Sequence, residues 1–179
     1  ILNNLYKETQ MQDTFGMNMV ALLDGQPRLL NLKQILDAFL RHRREVVTRR
    51  TAFELKKARE RGHLLEGLAV ALSNVDEIIA LIKAAPTPSV AKDAIMAKIW
   101  RSPLVEEMLS RALADANALR PDGLGDEFGL QAQGYRLSDA QAQAILELRL
   151  QRLTGLEQEK IVDEYREVMD KIIDYLDIL

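Results

Sequence analysis

One stretch decides the fold: residues 31–73, which read NLKQILDAFLRHRREVVTRRTAFELKKARERGHLLEGLAVALS. The stretch contains no proline, and its only glycines are Gly62 and Gly67. Asn31 followed by Gln34 is a capping-box pattern, which marks the start of a helix. A helix over this stretch would be about 65 Å long at 1.5 Å per residue. That exceeds the average helix several-fold, so we expect another element to pack along it.

The end of the chain supplies a partner for this helix. A stripe of apolar residues recurs there at intervals of 3, 4, 3, 4 and 3: Val162, Tyr165, Met169, Ile172, Leu176 and Leu179. This is the spacing of a coiled-coil seam. The facing stripe on the first helix is Val47, Thr51, Leu55, Ala58, Gly62 and Leu65. Because its small residues would oppose bulky ones on the return helix, we predict a closely packed antiparallel coiled-coil helix pair.

The charges favour the same pairing. Residues 41–61 hold nine Arg or Lys and three Asp or Glu, whereas residues 157–179 hold three and eight. Opposite charges along two helices orient them, although each exposed ion pair contributes only tenths of a kcal/mol. The net charge of −3 gives no argument for nucleic acid or for a membrane surface, and no apolar run is long enough to span a bilayer.

Between the two helices, the sequence predicts a small globular helical domain. The stripe continues through Leu65, Leu68 and Leu72, and Asn74 then restarts the helix. Two caps followed by proline, Thr87-Pro88 and Ser102-Pro103, open short helices, the second reaching to about residue 117. Ser138 with Gln141 caps a further helix, which we expect to run to about Arg152 and to end at Thr154-Gly155. Residues 120–134 should form a loop, followed by a short extended piece.

The N-terminal part, residues 1–30, is the least helical. Asp24-Gly25 lies between two apolar runs and predicts a short β-hairpin, and Pro27 restricts its second strand to an edge. We expect four parts: residues 1–30 as the remnant of a neighbouring domain, 31–73 and 156–179 as the coiled-coil helices, and 74–155 as the globular domain. The chain starts at Ile1 and stops without a cap, which suggests a fragment of a longer polypeptide.

The sequence offers no set of residues for covalent chemistry. There is no cysteine, which excludes disulfides and thiolate chemistry and fits the cytosol. The two histidines, His42 and His63, are 21 residues apart on one helix and are expected at its surface. No phosphate-binding glycine loop is present. We therefore predict no catalytic residue, no metal site and no cofactor in this chain.

Two segments suggest binding. The first is a basic cluster of Arg41, His42, Arg43, Arg44, Arg49 and Arg50. It either faces DNA phosphates or forms a solvated helix face paired with the acidic return helix. The second is the apolar, alanine-rich helix of residues 138–157, which is either internal core or a self-association surface, or both on different faces.

Several long motifs resemble the A-type subunits of bacterial DNA gyrase, a type IIA topoisomerase. They are NNLYKETQMQ, FGMNMVALLDGQP, RHRREVVTRRT within the long helix, and YRLSDAQAQAILELRLQRLTGLE. The resemblance covers nearly the whole chain, with residues 86–134 less distinctive. The A-type subunits of topoisomerase IV are similar, but their HRREVV and LQRLTGLE stretches usually read differently.

The resemblance implies a function that spacing alone does not. Such enzymes carry two A and two B subunits, cut one duplex, pass another through it and reseal it using ATP, and gyrase thereby introduces negative supercoils. Their catalytic tyrosine follows an arginine, and no Arg-Tyr pair occurs here. ATP and magnesium would bind through the B subunit. This chain would hold the end of the tower domain, the coiled coil and the exit gate, where two A subunits form a homodimer.

On this basis we assign the dimer interface to Leu68, Leu72, Gln141, Ala142, Ile145, Leu148 and Arg149, with Arg149 near the two-fold axis. The expected partners are a second copy, the B subunit, duplex DNA passing through the gate, and gyrase-poisoning protein toxins, with the enzyme in the bacterial cytoplasm at the nucleoid. A coiled-coil adaptor without a DNA role and a free-standing enzyme are the competing hypotheses. The lack of His, Cys and Gly-rich constellations argues against the second.

Overall fold

A computed structural model describes residues 1–111, 119–148 and 155–179 of the chain, which are mainly helical. The chain divides into two compact units, Ile1–Val47 and Thr48–Leu179. Its elements, in order, are α1 (Leu2–Glu8), β1 (Met19–Leu23), β2 (Gln26–Leu30), α2 (Leu32–Ser73), α3 (Val75–Ala84), α4 (Pro88–Ala97), β3 (Ile99–Trp100), α5 (Pro103–Arg111), β4 (Gly129–Gln131), β5 (Gly134–Arg136), α6 (Asp139–Leu146) and α7 (Gly155–Ile178).

The first unit contains the predicted hairpin. β1 and β2 pair antiparallel, and the turn residues Asp24 and Gly25 have φ angles of 52° and 78°. Two left-handed residues in a two-residue loop match the right-handed twist of the strands, which is why Asp-Gly suits this turn. Arg41 of α2 lies 3.4 Å from the Asp24 carboxylate across an exposed ion pair. The short helix α1 was not predicted, because its apolar positions Leu2, Leu5 and Tyr6 cover less than two turns, too few to establish a helical period.

Helix α2 has the predicted start and end. The Asn31 backbone N–H donates to Gln34 Oε1, and the Gln34 backbone N–H donates to Asn31 Oδ1, both at 2.9 Å. This reciprocal capping box satisfies two of the amide groups that a helix start leaves free. At the other end, Asn74 Nδ2 donates to the carbonyl oxygens of Val70 and Arg101, and α3 starts at the next residue.

Helices α2 and α7 form the antiparallel pair within the second unit. Arg61 contacts Glu164, and nearer the end of α2, Gln158 Nε2 donates to the Leu72 carbonyl oxygen at 3.4 Å. Because a later residue of α2 meets an earlier residue of α7, the two helices run in opposite directions. A Cβ atom added at Gly62 would lie 3.3 Å from Met169 Cε, which shows the close approach of the helices. Buried positions on the two helices include Thr51, Leu55, Gly62, Leu65, Tyr165, Met169 and Ile172, while Ala58 and Val162 are half-buried.

The far end of the predicted stripe on α7 is wrong. Leu176 and Leu179 are 37% and 53% exposed, whereas Val168 is buried and Tyr175 is half-buried. An α-helix has 3.6 residues per turn rather than 3.5, so a contact stripe drifts away from a strict heptad along a straight helix. The buried face of α7 therefore follows Tyr165, Val168, Ile172 and Tyr175.

The rest of the second unit combines short helices with a small sheet. Thr87 Oγ1 accepts from the Val90 backbone N–H, which confirms the cap of α4. The antiparallel sheet has the order β3-β5-β4 and pairs Trp100 with Tyr135. The sequence predicted only the extended piece around Tyr135, so β3 and β4 are additions to the predicted helical domain.

Helix α6 begins as predicted but is shorter. Its Ser138–Gln141 capping box is complete, and the helix ends at Leu146 rather than near Arg152. Gly155, the predicted end of this helix, belongs to α7 instead. The predicted helix between these points includes residues 149–154, which lie outside the described residues.

Candidate functional site

Glu66 of α2 is a buried carboxyl group that accepts hydrogen bonds from two tyrosines. Tyr135 of β5 donates to Oε2 at 2.6 Å, and Tyr165 of α7 donates to Oε1 at 3.0 Å. The residue is 8% exposed, and both tyrosines are at most 2% exposed. Glu66 therefore joins the helix pair to the small sheet through one side chain.

Gln141 of α6 extends this set of contacts. Its Nε2 group lies 2.6 Å from the His63 carbonyl oxygen and 2.8 Å from the Tyr135 hydroxyl oxygen, and donates to both. The approach is possible because Gly67 has no side chain: a Cβ atom there would lie 2.7 Å from Gln141 Cγ. Gln141 thus connects α6 with α2 and β5.

His63 completes what we call the polar network, formed by His63, Glu66, Tyr135, Ser138, Gln141 and Tyr165. Its Nε2 atom lies 2.7 Å from Ser138 Oγ, and its Nδ1 atom lies 3.2 Å from Gln141 Nε2. The Gln141 NH2 group cannot accept, and its two hydrogens already point to the His63 carbonyl and Tyr135 hydroxyl oxygens, so a hydrogen on Nδ1 would have no acceptor there. Neutral His63 therefore carries its hydrogen on Nε2, where Ser138 Oγ accepts it. Protonating His63 would set a hydrogen on Nδ1 against the amide donor. The expectation that His63 is a surface residue was wrong, since the residue is 7% exposed.

The environment of the network changes two pKa values in opposite directions. Burial raises the pKa of Glu66 from 4.5 to about 7, although the hydrogen bonds from Tyr135 and Tyr165 lower it in part. Burial, followed by the charge of Arg120, lowers the pKa of His63 from 6.5 to about 4. Both shifts are toward the neutral forms, as expected for buried groups without an ionic partner.

A cavity of about 170 Å³ borders the network, with walls that include His63, Glu66, Leu119, Arg120, Leu124 and Phe128. The Arg120 guanidinium donates to the Gly125 carbonyl oxygen at 2.7 Å and so holds its own loop. Within the described residues, no set of three or more His, Cys, Asp or Glu side chains is arranged to hold a metal ion. The Ser138 hydroxyl and His63 are in contact, but Ser138 is the buried cap of α6 and is only 4% exposed. We therefore interpret the network as structural rather than nucleophilic.

The predicted interface residues divide between core and surface. Leu72, Gln141, Ala142 and Ile145 are buried within one chain, so their side chains belong to its own core. For Gln141, Ala142 and Ile145 of α6, this is the internal-core alternative stated above. All four side chains have little surface left to contact a second copy. Leu68 and Leu148 are half-buried. Arg149 lies outside the described residues.

The predicted DNA-facing residues are all exposed and fall into both units. Arg41, His42, Arg43 and Arg44 lie in the first unit, where Arg41 pairs with Asp24. Arg49 and Arg50 lie in the second, and Arg50 Nε is 2.8 Å from Glu54 Oε1 on the same helix. One ion pair that crosses between the helices is Arg61–Glu164, in which Nε and Nη2 donate to the two carboxylate oxygens at 2.7 and 2.9 Å.

Sequence reasoning placed Tyr165 in the packing stripe but missed Glu66 and its contacts with Tyr135 and Tyr165. Their sequence separations are 69 and 99 residues, so no local pattern connects them. One signal was present: apart from His63, Glu66 is the only acidic or basic residue between Gly62 and Asp76. A single charge inside an otherwise apolar stretch of a packed helix indicates a buried, partnered group.

Comparison with known proteins gives consistent results over the whole chain. The family model for the A subunits of DNA gyrase/topoisomerase IV matches residues 1–179. The chain is 60% identical to the DNA gyrase A subunit of Neisseria gonorrhoeae over 179 residues, covering 100% of this chain and 20% of that protein. For the Pseudomonas aeruginosa protein the identity is also 60%, covering 100% and 19%. For the Escherichia coli protein it is 61% over 165 residues, covering 92% and 19%.

The chain spans about one fifth of the length of the curated relatives it matches. Among the described residues, no helix is both long and apolar enough to cross a membrane. The identities are high, and the long helix pair with its small domain is the fold that the resemblance implied. The chain belongs to the family formed by the A subunits of DNA gyrase and topoisomerase IV.

Proposed function

We propose that this chain is the arm and exit gate of a DNA gyrase A subunit. The observation that carries the proposal is the match of the family over all 179 residues, together with the antiparallel pair of α2 and α7 that carries a small domain. A stiff pair of helices keeps a protein contact far from the site where DNA is cut. The space between two such arms would then accommodate a duplex.

The parent enzyme would introduce negative supercoils by passing one duplex through another at the expense of ATP. This chain would contribute no catalytic residue, since no arginine directly precedes a tyrosine in it. ATP and magnesium would act through the B subunit. The role of the chain would be mechanical: to open for release of the transported duplex, and to stay closed while the DNA ends are apart.

The gate would be a homodimer contact near α6. Ala142 and Ile145, which are buried within one chain, would support the contact surface from behind, and Leu148 and Arg149 would meet the second copy. The position of Arg149 near the two-fold axis is proposed from the sequence resemblance alone.

Sedimentation equilibrium of the 179-residue chain tests the dimer. We expect a dimer at micromolar concentration, weakened at least tenfold by Arg149→Glu. Arg166→Glu is the matched control, because Arg166 is exposed on α7 and pairs with Asp163 on the same helix. A monomer at these concentrations, or equal affinities for the two variants, would contradict the gate assignment.

We also propose that the exposed basic residues of α2, Arg41 to Arg44 with Arg49 and Arg50, face the transported duplex. Protein toxins that poison gyrase would bind at the gate, and the enzyme would act in the bacterial cytoplasm at the nucleoid. The duplex contact is testable by the salt dependence of strand passage in the full-length parent. Replacing Arg43 and Arg44 by Gln should reduce that dependence.

The identities favour gyrase over topoisomerase IV, since the relatives compared above are all gyrase A subunits. A coiled-coil adaptor without a DNA role would be indifferent to DNA topology. Supercoiling assays on the longer parent polypeptide with its B subunit distinguish the two: gyrase supercoils relaxed plasmid, whereas an adaptor leaves it unchanged. The 179-residue chain alone should show no relaxation of supercoiled plasmid, and any such activity would overturn the non-catalytic role.

A further inference from the structure

The Glu66 carboxyl group lies where three elements meet. It belongs to α2 and accepts from Tyr135 of β5 and from Tyr165 of α7. Both donors are neutral hydroxyl groups, and within the described ranges no ion pair reaches Glu66. An ionised carboxylate at this site is therefore buried without a cation in contact, whereas a neutral carboxyl group fits it at lower cost.

The two tyrosines are not held equally. Tyr135 lies in β5, the middle strand of the sheet, and its hydroxyl oxygen also accepts from Gln141 Nε2 at 2.8 Å. Among the described residues, the Tyr165 hydroxyl group has the Glu66 contact as its one hydrogen bond. The tyrosine that contacts Glu66 from α7 is therefore held by fewer hydrogen bonds than the tyrosine that contacts it from the sheet.

We propose that Glu66 is a proton-controlled lock on the helix pair, in which proton release from its carboxyl group favours separation of α7 from α2 at Tyr165. Ionisation also strengthens the hydrogen bond from Tyr165, but one bond from a neutral hydroxyl group replaces only part of the hydration of a carboxylate, and separation would let water reach it. Because the ionised form gains most from hydration, ionisation and separation must favour each other. Proton uptake from solvent reverses both.

The titratable groups that face Glu66 support a transition at neutral pH. They are Tyr135 from the sheet, Tyr165 from α7, Arg120 from the loop before β4, and His63 one turn earlier on α2. The pKa of Glu66 is raised to about 7, so both forms are present near neutrality. The pKa of His63 is lowered to about 4, so His63 stays neutral there and does not obscure the transition.

The size of the effect follows from the two pKa values. With a pKa of about 7 in the closed state and 4.5 once hydrated, opening should become about tenfold more frequent between pH 6 and pH 8, and then level off. This inference concerns only the second unit and does not rest on the proposed function. If the function holds, the lock lies where the arm joins the gate domain.

The titration is measured by NMR of the 179-residue chain labelled with ¹³C at the Glu carboxyl carbons. One signal, absent in Glu66→Gln, should titrate near pH 7. Tyr165→Phe removes a donor to the ionised carboxylate and should raise that midpoint. Tyr175→Phe is the matched control, because Tyr175 is also on α7 but donates to Glu54, and it should leave the midpoint unchanged. A Glu66 midpoint near 4.5, or an equal shift in both tyrosine variants, would overturn the proposal.

The opening is measured by amide hydrogen exchange around Tyr165, corrected for the intrinsic dependence on pH. Protection should fall about tenfold from pH 6 to pH 8 in the unaltered chain and stay constant in Glu66→Gln. Protection in β5 should change less. Constant protection of α7 in the unaltered chain, or an equal loss in β5, would refute the assignment to α7.

Discussion

Gly67 of α2 and Gln141 of α6 are in direct contact, at a distance that leaves no room for a methyl group. A Cβ atom at Gly67 would lie 2.7 Å from Gln141 Cγ and 2.8 Å from Gln141 Cβ. The Cβ atom is fixed to the backbone of α6, so a rotamer change cannot relieve the overlap. This glycine sets the separation of the two helices.

We predict that Gly67→Ala destabilises the chain by about 1–3 kcal/mol, as overpacking does, despite the higher helix propensity of alanine. Gly62→Ala is the matched control on the same helix. Its new methyl group would meet Met169 Cε at 3.3 Å, the end of a flexible side chain that can move. It should be neutral or stabilising by up to about 1 kcal/mol. Urea unfolding followed by far-UV circular dichroism measures both, and equal effects would contradict the contact.

The pH dependence of stability should reveal two opposing groups. Glu66, with its pKa raised from 4.5 to about 7, contributes stability that is present below pH 4.5 and lost as pH rises to 7. His63, with its pKa lowered from 6.5 to about 4, contributes stability that is present above pH 6.5 and lost as pH falls to 4. Between pH 4.5 and 6.5 the two slopes cancel.

Glu66→Gln removes one of these slopes. The free energy of unfolding of this variant, compared with that of the unaltered chain, should rise by up to about 1.4 kcal/mol per pH unit between pH 4.5 and 6.5. Urea midpoints at half-unit intervals of pH provide the measurement, with the exposed Glu60→Gln as control. Parallel curves for Glu66→Gln and the unaltered chain would show that Glu66 does not titrate as described.

Ser138 has two roles, and its replacement should cost more than the loss of an ordinary cap. Ser138→Ala removes the α6 cap and leaves the buried Nε2–H group of His63 without its acceptor. We expect a loss of about 2–4 kcal/mol in unfolding free energy. Thr87→Ala removes only the exposed cap of α4 and should cost about 1 kcal/mol. Comparable losses in thermal or urea unfolding would argue against the His63 contact.

The Arg61–Glu164 pair should act as an orienting contact. Both side chains are nearly half exposed, so their coupling in a double-mutant cycle should be about 0.2–1 kcal/mol and should decrease with salt. Single charge reversals, Arg61→Glu or Glu164→Arg, should each destabilise the pair of helices. The double reversal should recover most of the loss, and a lack of recovery would mean that the two groups do not interact in solution.

The features that the sequence predicted are those set by neighbours along the chain. The capping boxes at Asn31 and Ser138 and the Asp24-Gly25 turn depend on residues at most three positions apart, and all were located correctly. The pairing of α2 with α7 was predictable because apolar spacing is repeated over many turns. In contrast, β3 and β4 have two and three residues, too few to show an alternating pattern, and they form because β5 lies between them.

The polar network could not be predicted from the sequence, for a related reason. His63 and Glu66 look like surface groups until Ser138, Gln141, Tyr135 and Tyr165 are brought to them from 69 to 99 residues away. Burial then shifts both groups toward their neutral forms. Propensity and periodicity carry no information about such a change, because it depends on the packing of four separate elements.

The long sequence separation across the helix pair also has a kinetic consequence. The Arg61–Glu164 and Glu66–Tyr165 contacts close loops of 103 and 99 residues, whereas the α6 cap closes one of 3. Loop-closure entropy disfavours early formation of the longest contacts, so α7 should dock after the small domain has folded. Folding kinetics should then give low φ-values for Tyr165 and Ile172 and higher values for Trp100 and Ala142. An emerging chain would thus form its globular part first and acquire its rigid arm last.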